Sequence, residues 1–567
     1  MKKSALQNSI PVSPILASQM PEEADHRFIQ RKRLLRVSLL SVAVAAAISF
    51  IAKVLISLIN LVTNISFFGT FNLAFHSPAN NHLGYWVIII PAIGGVLVGL
   101  MALYGSKAIR GHGIPEAMEQ ILTNKSKIKP AITFLKPISS AIAIGTGGPF
   151  GAEGPIIATG GALGSTIGQL FKITANERKV ILAAGATAGM AAIFGTPIAA
   201  VFLAIELLLF EFSPWSILPV ALACITGAAG HHLLFEAGPV FPMPDVAVPS
   251  NQALAIYSGI GIVIGFIAMG LTKIVYWIED MFEKLPIHWM WWPAMGGLAV
   301  GLIGYFAPHT LGVGYDNITG VLSGTWPLTL ILSLCLFKFL SWAIALGSGT
   351  SGGTLAPLLT IGGATGAVIG TVILSFFPHC GLSIPMSALI GMSAMFAGAS
   401  RAYLTSITFA LEATMQSHAL LPLLGACTAS YLVSFFLMEN TIMTEKIARR
   451  GVYTPDTYEA DPLQKLKVAD VMHTKTITGD VTLKHSIKTS DSLRKAVELM
   501  AKTGLEVLQV EDARTHQYAG TLTYKDVLKS YQYQSEENEH AYTNLSLKRR
   551  RLKMLILSKQ MINKQDK

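Results

Sequence analysis

The sequence predicts an all-α polytopic membrane protein of two related halves, with many tilted and half-membrane helices, followed by a small cytoplasmic α/β domain. Three observations carry this prediction. Hydrophobic residues make up 51% of the 567 and charged residues only 13%, whereas soluble domains carry about 25% charged residues. A Gly–Pro pattern opens apolar, helix-compatible sequence three times: Gly111-His112-Gly113-Ile114-Pro115, Gly151-Ala152-Glu153-Gly154-Pro155 and Gly353-Thr354-Leu355-Ala356-Pro357. The chain also repeats itself. GAEGPII at 151–157 aligns with GTLAPLL at 353–359, and at nearly the same remove FLAIEL (202–207) is answered by TFALEA (408–413).

Residues 1–37 are polar and end in a basic run, RKRLLR at 31–36, while KRRRLK stands at 548–553. No apolar core precedes the first run, so no signal peptide is expected. Both runs flank an apolar body and lack interleaved aromatics, which argues against a nucleic-acid partner. The positive-inside rule then places both ends in the cytoplasm.

Apolar segments run from 37 to 438. Those at 37–62, 253–275 and 328–346 are long enough for a helix to span a bilayer, which takes roughly 20 residues. Others, at 131–145, 156–170, 181–194 and 198–210, are short and broken by Gly or Pro. Tilted or half-membrane helices packed inside the protein suit them. Polar stretches at 124–129 and 175–179 read as loops. The membrane region is expected over 38–450, its halves at 39–232 and 252–438. Cys224, Cys335, Cys380 and Cys427 lie in or near apolar sequence without metal spacing and read as buried thiols.

After Glu445 charge rises and glycine thins out. A helix is expected over 492–502, strands over 506–511 and 517–523, and a closing helix over 524–531. This cytoplasmic domain is placed at 465–532, with a charged tail at 533–567.

The Gly–Pro patterns carry the chemistry. Proline fits the first turn of a helix, and glycine lets backbone approach a ligand closely. A helix N-terminus offers unpaired N–H groups and about half a positive charge. Inside a bilayer that is an anion site without a full cation. Glu153 stands at such a start, where an ionised carboxylate is costly unless it is paired or hydrogen-bonded. It either caps the helix or lies on a pathway. A site that attracts anions attracts its own carboxylate, so Glu153 can plug the site, and protonation would release the plug. That makes it a gate and a candidate proton carrier.

These ordered motifs, with the later LEA helix, resemble the CLC family of chloride channels and chloride/proton exchangers across residues 38–450. The family patterns are GSGIP, GREGP and GxFxP. The resemblance implies a homodimer in the cell membrane, each subunit with its own chloride pore made of two inverted halves. By position Glu153 matches the gating glutamate. Gly113, Ile114 and Gly154, with the backbone amides of Thr354 and Leu355, match the anion site, and Lys136 matches a basic residue near the pathway.

The departures bear on mechanism. His112 stands where the family has a serine; a neutral ring donates one N–H and a charged ring two, which would raise anion affinity in acid, or the ring bonds a carbonyl instead. Met443 falls at the pore-lining tyrosine and cannot donate. Leu355 replaces a phenylalanine. Leu207 stands where the exchangers have a second, proton-relaying glutamate. Glu206 is adjacent but points about 100° around the helix, and its twin Glu412 in the other half favours a structural role for both. Glu211 lies a little further on. With Glu153, these two are the proton-path candidates. Weak or absent proton coupling is expected, with stoichiometric exchange as the alternative.

Residues 468–531 resemble part of a CBS domain, with one strand–helix unit and no Gly-rich phosphate loop. A packing or dimerising role and adenine-nucleotide binding both remain open, and no cofactor is expected. An intramembrane enzyme is disfavoured: there is no zinc-type His pair, no Ser–His pair and no paired Asp, and His231-His232 are adjacent rather than at ligand spacing. A receptor acting through the C-terminal domain would leave the buried helix starts unexplained.

Overall fold

The computed structural model describes residues 23–171, 173–235, 238–455, 463, 466–474, 486–513, 515 and 517–529. The charged tail, the second basic run and the end of the closing helix lie outside these residues. The chain forms two compact units, one of Met1–Ile167 with Lys179–Glu459 and one of Gly168–Arg178 with Ala460–Lys567.

The first unit is helical. Its first half runs α1 (Glu23–Thr63), α2 (Ile90–Tyr104), α3 (Ile114–Thr123), α4 (Ile132–Gly145), α5 (Glu153–Leu170), α6 (Ala175–Phe194), α7 (Pro197–Leu203) and α8 (Pro214–Leu234). The second half runs α9 (Asn251–Glu283), α10 (Trp292–Phe306), α11 (Tyr315–Leu322), α12 (Leu328–Ser333), α13 (Phe339–Gly347), α14 (Leu355–Phe376), α15 (Ile384–Ser400), α16 (Tyr403–Thr414) and α17 (Leu420–Leu437), and α18 (Glu445–Arg449) follows. Among the described residues seven helices are long and apolar enough to cross a membrane: Arg31–Phe68, Gly84–Tyr104, Pro214–Leu234, Asn251–Glu283, Leu328–Gly347, Leu355–Phe376 and Ser417–Leu437. The 33 residues of α9 exceed what a hydrocarbon core of about 30 Å requires at 1.5 Å per residue, so this helix is long enough to span it with tilt or with ends beyond it.

Local sequence sets the helix starts. The Ser213 hydroxyl accepts from the Trp215 amide ahead of Pro214, and Ser383 does the same for Met386 ahead of Pro385. One expectation is overturned. Residues 175–179, which read as a loop from their charge, are the first turn of α6. Thr174 and Glu177 form a reciprocal cap: the Glu177 amide donates to the Thr174 hydroxyl at 3.1 Å and the Thr174 amide donates to the Glu177 carboxylate at 2.9 Å. The charge belongs to a helix start.

The repeat has a physical counterpart in side-chain contacts. The buried Lys136 ammonium donates to the carbonyls of Ile109 and Gly111, at 2.8 and 2.7 Å. In the other half Lys338 donates to Thr310 and Gly312, at 3.0 and 2.8 Å. Glu206 accepts from the Leu404 and Thr405 amides and the Thr405 hydroxyl, at 2.8, 3.0 and 2.7 Å, and so caps α16. Glu412 returns the contact, accepting from the Ile198 and Ala199 amides at 2.9 and 2.8 Å and capping α7. Between the two sets Gly151 and Gly353 pair as an antiparallel bridge, the Gly353 amide donating to the Gly151 carbonyl at 3.0 Å.

The second unit holds a three-stranded sheet ordered β1 (Ser486–Lys488), β2 (Val507–Glu511), β3 (Tyr518–Thr523), with α19 (Leu493–Thr503) between β1 and β2 in the chain. β1 and β2 are parallel, while β2 and β3 are antiparallel with Leu508 opposite Leu522. Val468, Ile487, Leu493, Leu508, Val510 and Leu522 fill its core. The sequence indicated α19, β2 and β3; the short β1 offers too few residues for an alternating pattern to register.

Candidate functional site

The three Gly–Pro starts meet at one place. Gly113 (φ +95°) caps α3, Glu153 opens α5, and Thr354 caps α14. Their backbones touch. A Cβ on Gly154 would lie 2.2 Å from the His112 carbonyl oxygen and 2.7 Å from the Gly353 Cα, so only glycine permits this approach. Three helix starts, each rich in unpaired N–H groups, therefore converge without a full positive charge at the meeting point.

The Glu153 carboxylate lies in that cluster, fully buried. One oxygen accepts the Ala356 amide at 2.5 Å and the other accepts the Tyr315 hydroxyl at 3.1 Å. The side chain folds back over Gly151, where a Cβ would come within 2.0 Å of both carboxylate oxygens. The amide that meets it belongs to Ala356 in the first turn of α14, and the neighbouring Leu355 amide also acts on the carboxylate.

Two further polar atoms at the meeting point are buried without a hydrogen-bond partner among the described residues: His112 Nδ1 and Thr354 Oγ1. The Nδ1 atom makes no bond to a carbonyl among the described residues. Leaving a buried polar atom unpaired costs about 1–3 kcal/mol, so two of them beside the Glu153 carboxylate call for an explanation. Met443 is buried in the turn before α18, its amide donating to the Thr441 hydroxyl at 3.2 Å. Its thioether brings no donor.

Lys136 does not reach the meeting point with its ammonium; its two carbonyl bonds brace the loop that carries His112. Glu206 is occupied in capping α16, and the Glu211 carboxylate pairs with the Lys179 ammonium at 3.0 Å. Leu207 is buried within a π-helical turn, Ala204–Leu209. Of the three carboxylates singled out as proton-path candidates, only Glu153 lies where the helix starts meet. A cavity of about 900 Å³ opens beside the first motif, with Arg110, Gly113, Glu116, Lys136, Lys446 and Arg450 in its wall. There Lys446 pairs with Glu116 at 3.0 Å and Arg450 with Glu119 at 2.5 Å. Among the described residues no group of His, Cys, Asp and Glu could hold a metal ion.

Two residues escaped the sequence reading, Tyr315 and Lys338. The signal was present: Gly312-Val313-Gly314-Tyr315 repeats the spacing of Gly111-His112-Gly113-Ile114, at nearly the offset that relates Gly151 to Gly353. It lacks the proline that made the other copies conspicuous.

Comparison with known proteins agrees with this architecture. A family model described as Voltage gated chloride channel matches residues 94–435. The chloride channel protein CLC-f of Arabidopsis thaliana is 30% identical over 370 residues, which are 60% of this chain and 46% of that protein. The H(+)/Cl(-) exchange transporter ClcA of Yersinia pestis bv. Antiqua (strain Angola) is 28% identical over 355 residues, 60% of this chain and 72% of that one. Among solved structures, a slow cyanobacterial Cl-/H+ antiporter superposes with a TM-score of 0.65 at 23% identity, covering 72% of this chain and 98% of its own. A eukaryotic CLC transporter does so with 0.63 at 17% identity, covering 88% and 98%.

Proposed function

The chain belongs to the voltage-gated chloride channel (CLC) family, a multi-pass membrane protein of CLC-type anion transport, and we propose that it passes chloride through the meeting point of α3, α5 and α14 under the control of Glu153. The observation that carries this reading is the Glu153 carboxylate on the Ala356 amide. A negative group already sits where helix starts converge, so an anion must displace it to pass. Protonation removes the charge that holds the carboxylate there, and the gate opens. The Nδ1–H of His112 and the hydroxyl of Thr354 donate to the anion, with the amides of Ile114, Gly154 and Leu355 around it. The Gly113 amide, expected from the sequence to join them, is spent on the Glu116 carboxylate at 2.7 Å, and Met443 fills the inner end without donating.

Proton coupling is weak or absent in this reading, because Leu207 carries no proton and Glu206 and Glu211 are engaged as a helix cap and an ion pair. Stoichiometric chloride/proton exchange is the second reading, favoured by the exchangers among the proteins this chain resembles. We also assign the protein to the cell membrane as a homodimer with both ends cytoplasmic, on the family resemblance and the basic run at 31–36 within the N-terminal part of α1. The C-terminal unit serves as a packing domain.

The test is reconstitution into liposomes with chloride and pH electrodes read together. Under a chloride gradient and no pH gradient, chloride is expected to run downhill with little proton movement. Uphill proton movement at a steady ratio would replace the channel reading with the exchanger.

A further inference from the structure

The Glu153 carboxylate marks the position of an anion, and the groups that hold it are the groups an anion would inherit. Two of them come from the second half of the chain. The Ala356 amide belongs to α14 and holds one oxygen; the Tyr315 hydroxyl belongs to α11 and holds the other. We propose that the Tyr315 hydroxyl is an anion ligand of this protein: it fixes the carboxylate in the closed site and donates to the chloride that takes the carboxylate's place. The inference rests on Glu153 being the gate.

Three observations support it. The hydroxyl is preorganised, because its ring stands edge-on to Phe194 (5.7 Å, 72°) and against Phe241 (6.0 Å), and both of these pack on Phe409. Those three phenylalanines are buried, whereas the Tyr315 hydroxyl leaves the cluster to meet the Glu153 carboxylate, so the residue is not merely core. His112 and Met443, at the family's serine and tyrosine positions, carry no hydroxyl. Tyr315 brings one to the Glu153 carboxylate from a different element. A hydroxyl suits both tasks, since it donates to a carboxylate and to a halide alike.

The nearest charged or titratable side chains are otherwise engaged. Asp316 accepts from Ser77 at 2.8 Å, Lys338 bonds two carbonyls, Glu412 caps α7, and the open nitrogen of His112 lies in the first motif. None of these supplies a donor to the Glu153 oxygens.

The experiment is isothermal titration of the full-length protein in detergent with sodium chloride, in a Glu153→Gln background that removes the competing carboxylate. Adding Tyr315→Phe, which keeps the ring, is expected to weaken chloride binding about tenfold, the scale of one hydrogen bond to a charged group. Tyr315→His, which returns an N–H donor on a smaller ring, is expected to recover most of that loss. Equal affinity in the Gln protein with and without Tyr315→Phe would overturn the proposal, and so would an equal loss in the Phe and His variants, which would mean packing rather than donation. If Glu153→Gln binds no chloride at all, both the gate and the ligand fail. A Gln protein that binds chloride with unchanged affinity in the Phe variant fails the ligand alone.

Discussion

Glu153 and His112 show how unequal single residues are as signals. An ionisable group in apolar sequence announces itself, because it needs a partner that the sequence does not obviously supply. The far half of the chain supplies the Ala356 amide and the Tyr315 hydroxyl. Tyr315 was faint by comparison: its Gly312-Val313-Gly314-Tyr315 repeat of the first motif lacks the proline, and only folding brings it to the carboxylate. His112 was legible as a departure from a family pattern, yet whether its ring faced the site depended on the fold. Since its Nδ1 has no partner among the described residues, we expect His112→Ala to weaken chloride binding by roughly tenfold, the scale of a lost hydrogen bond to an ion. His112→Ser should restore much of it. Titration with chloride in the Glu153→Gln background measures both, and an unchanged affinity in the alanine variant would remove His112 from the site.

At the scale of elements, helix starts were easier to read than helix roles. Proline near the first turn marked α3, α5 and α14 directly, whereas the charged start of α6 hid in plain composition until Thr174 and Glu177 were seen as a cap. The exchange between Glu206 and Glu412 is a different case. The sequence showed two matching glutamates but not that each caps the helix ahead of the other, because that contact crosses the repeat. Both carboxylates accept from amides at helix N-termini, where the dipole favours negative charge. Glu206→Gln and Glu412→Gln should each cost about 1.5–3 kcal/mol, the range for hydrogen bonds to charged groups. Thermal unfolding in detergent would show it as a lowered midpoint. Glu206→Gln should leave any ratio of chloride to proton movement unchanged; a changed ratio would return Glu206 to the proton path.

For the whole molecule, the repeat was the most informative sequence feature, since it implied two halves meeting at a shared centre, and Gly151 pairs with Gly353 there. The C-terminal unit was legible in its longer elements only. It carries its own pH dependence. Burial pushes the Asp526 carboxyl up, but the Thr523 hydroxyl and amide together with His473 outweigh that and hold it below the usual carboxylate range. A carboxyl held low in the folded state contributes stability above its unfolded value, and this is lost as pH falls through the folded one. Protection factors across β2 and β3, corrected for the intrinsic exchange rate, should therefore fall in wild type as pH drops from about 5 to about 3, and Asp526→Asn should flatten that dependence while lowering protection near neutrality.

The carboxylate of Glu153 is the centre of the proposed gate. Chloride efflux from liposomes, recorded with a chloride electrode across a pH series for wild type and Glu153→Gln, tests it most directly. The wild type is expected to conduct faster as the medium is acidified. The Gln protein, a neutral isostere of the protonated gate, is expected to conduct at least as fast as acidified wild type and to ignore pH. A Gln protein that keeps the wild-type pH profile would contradict the gate.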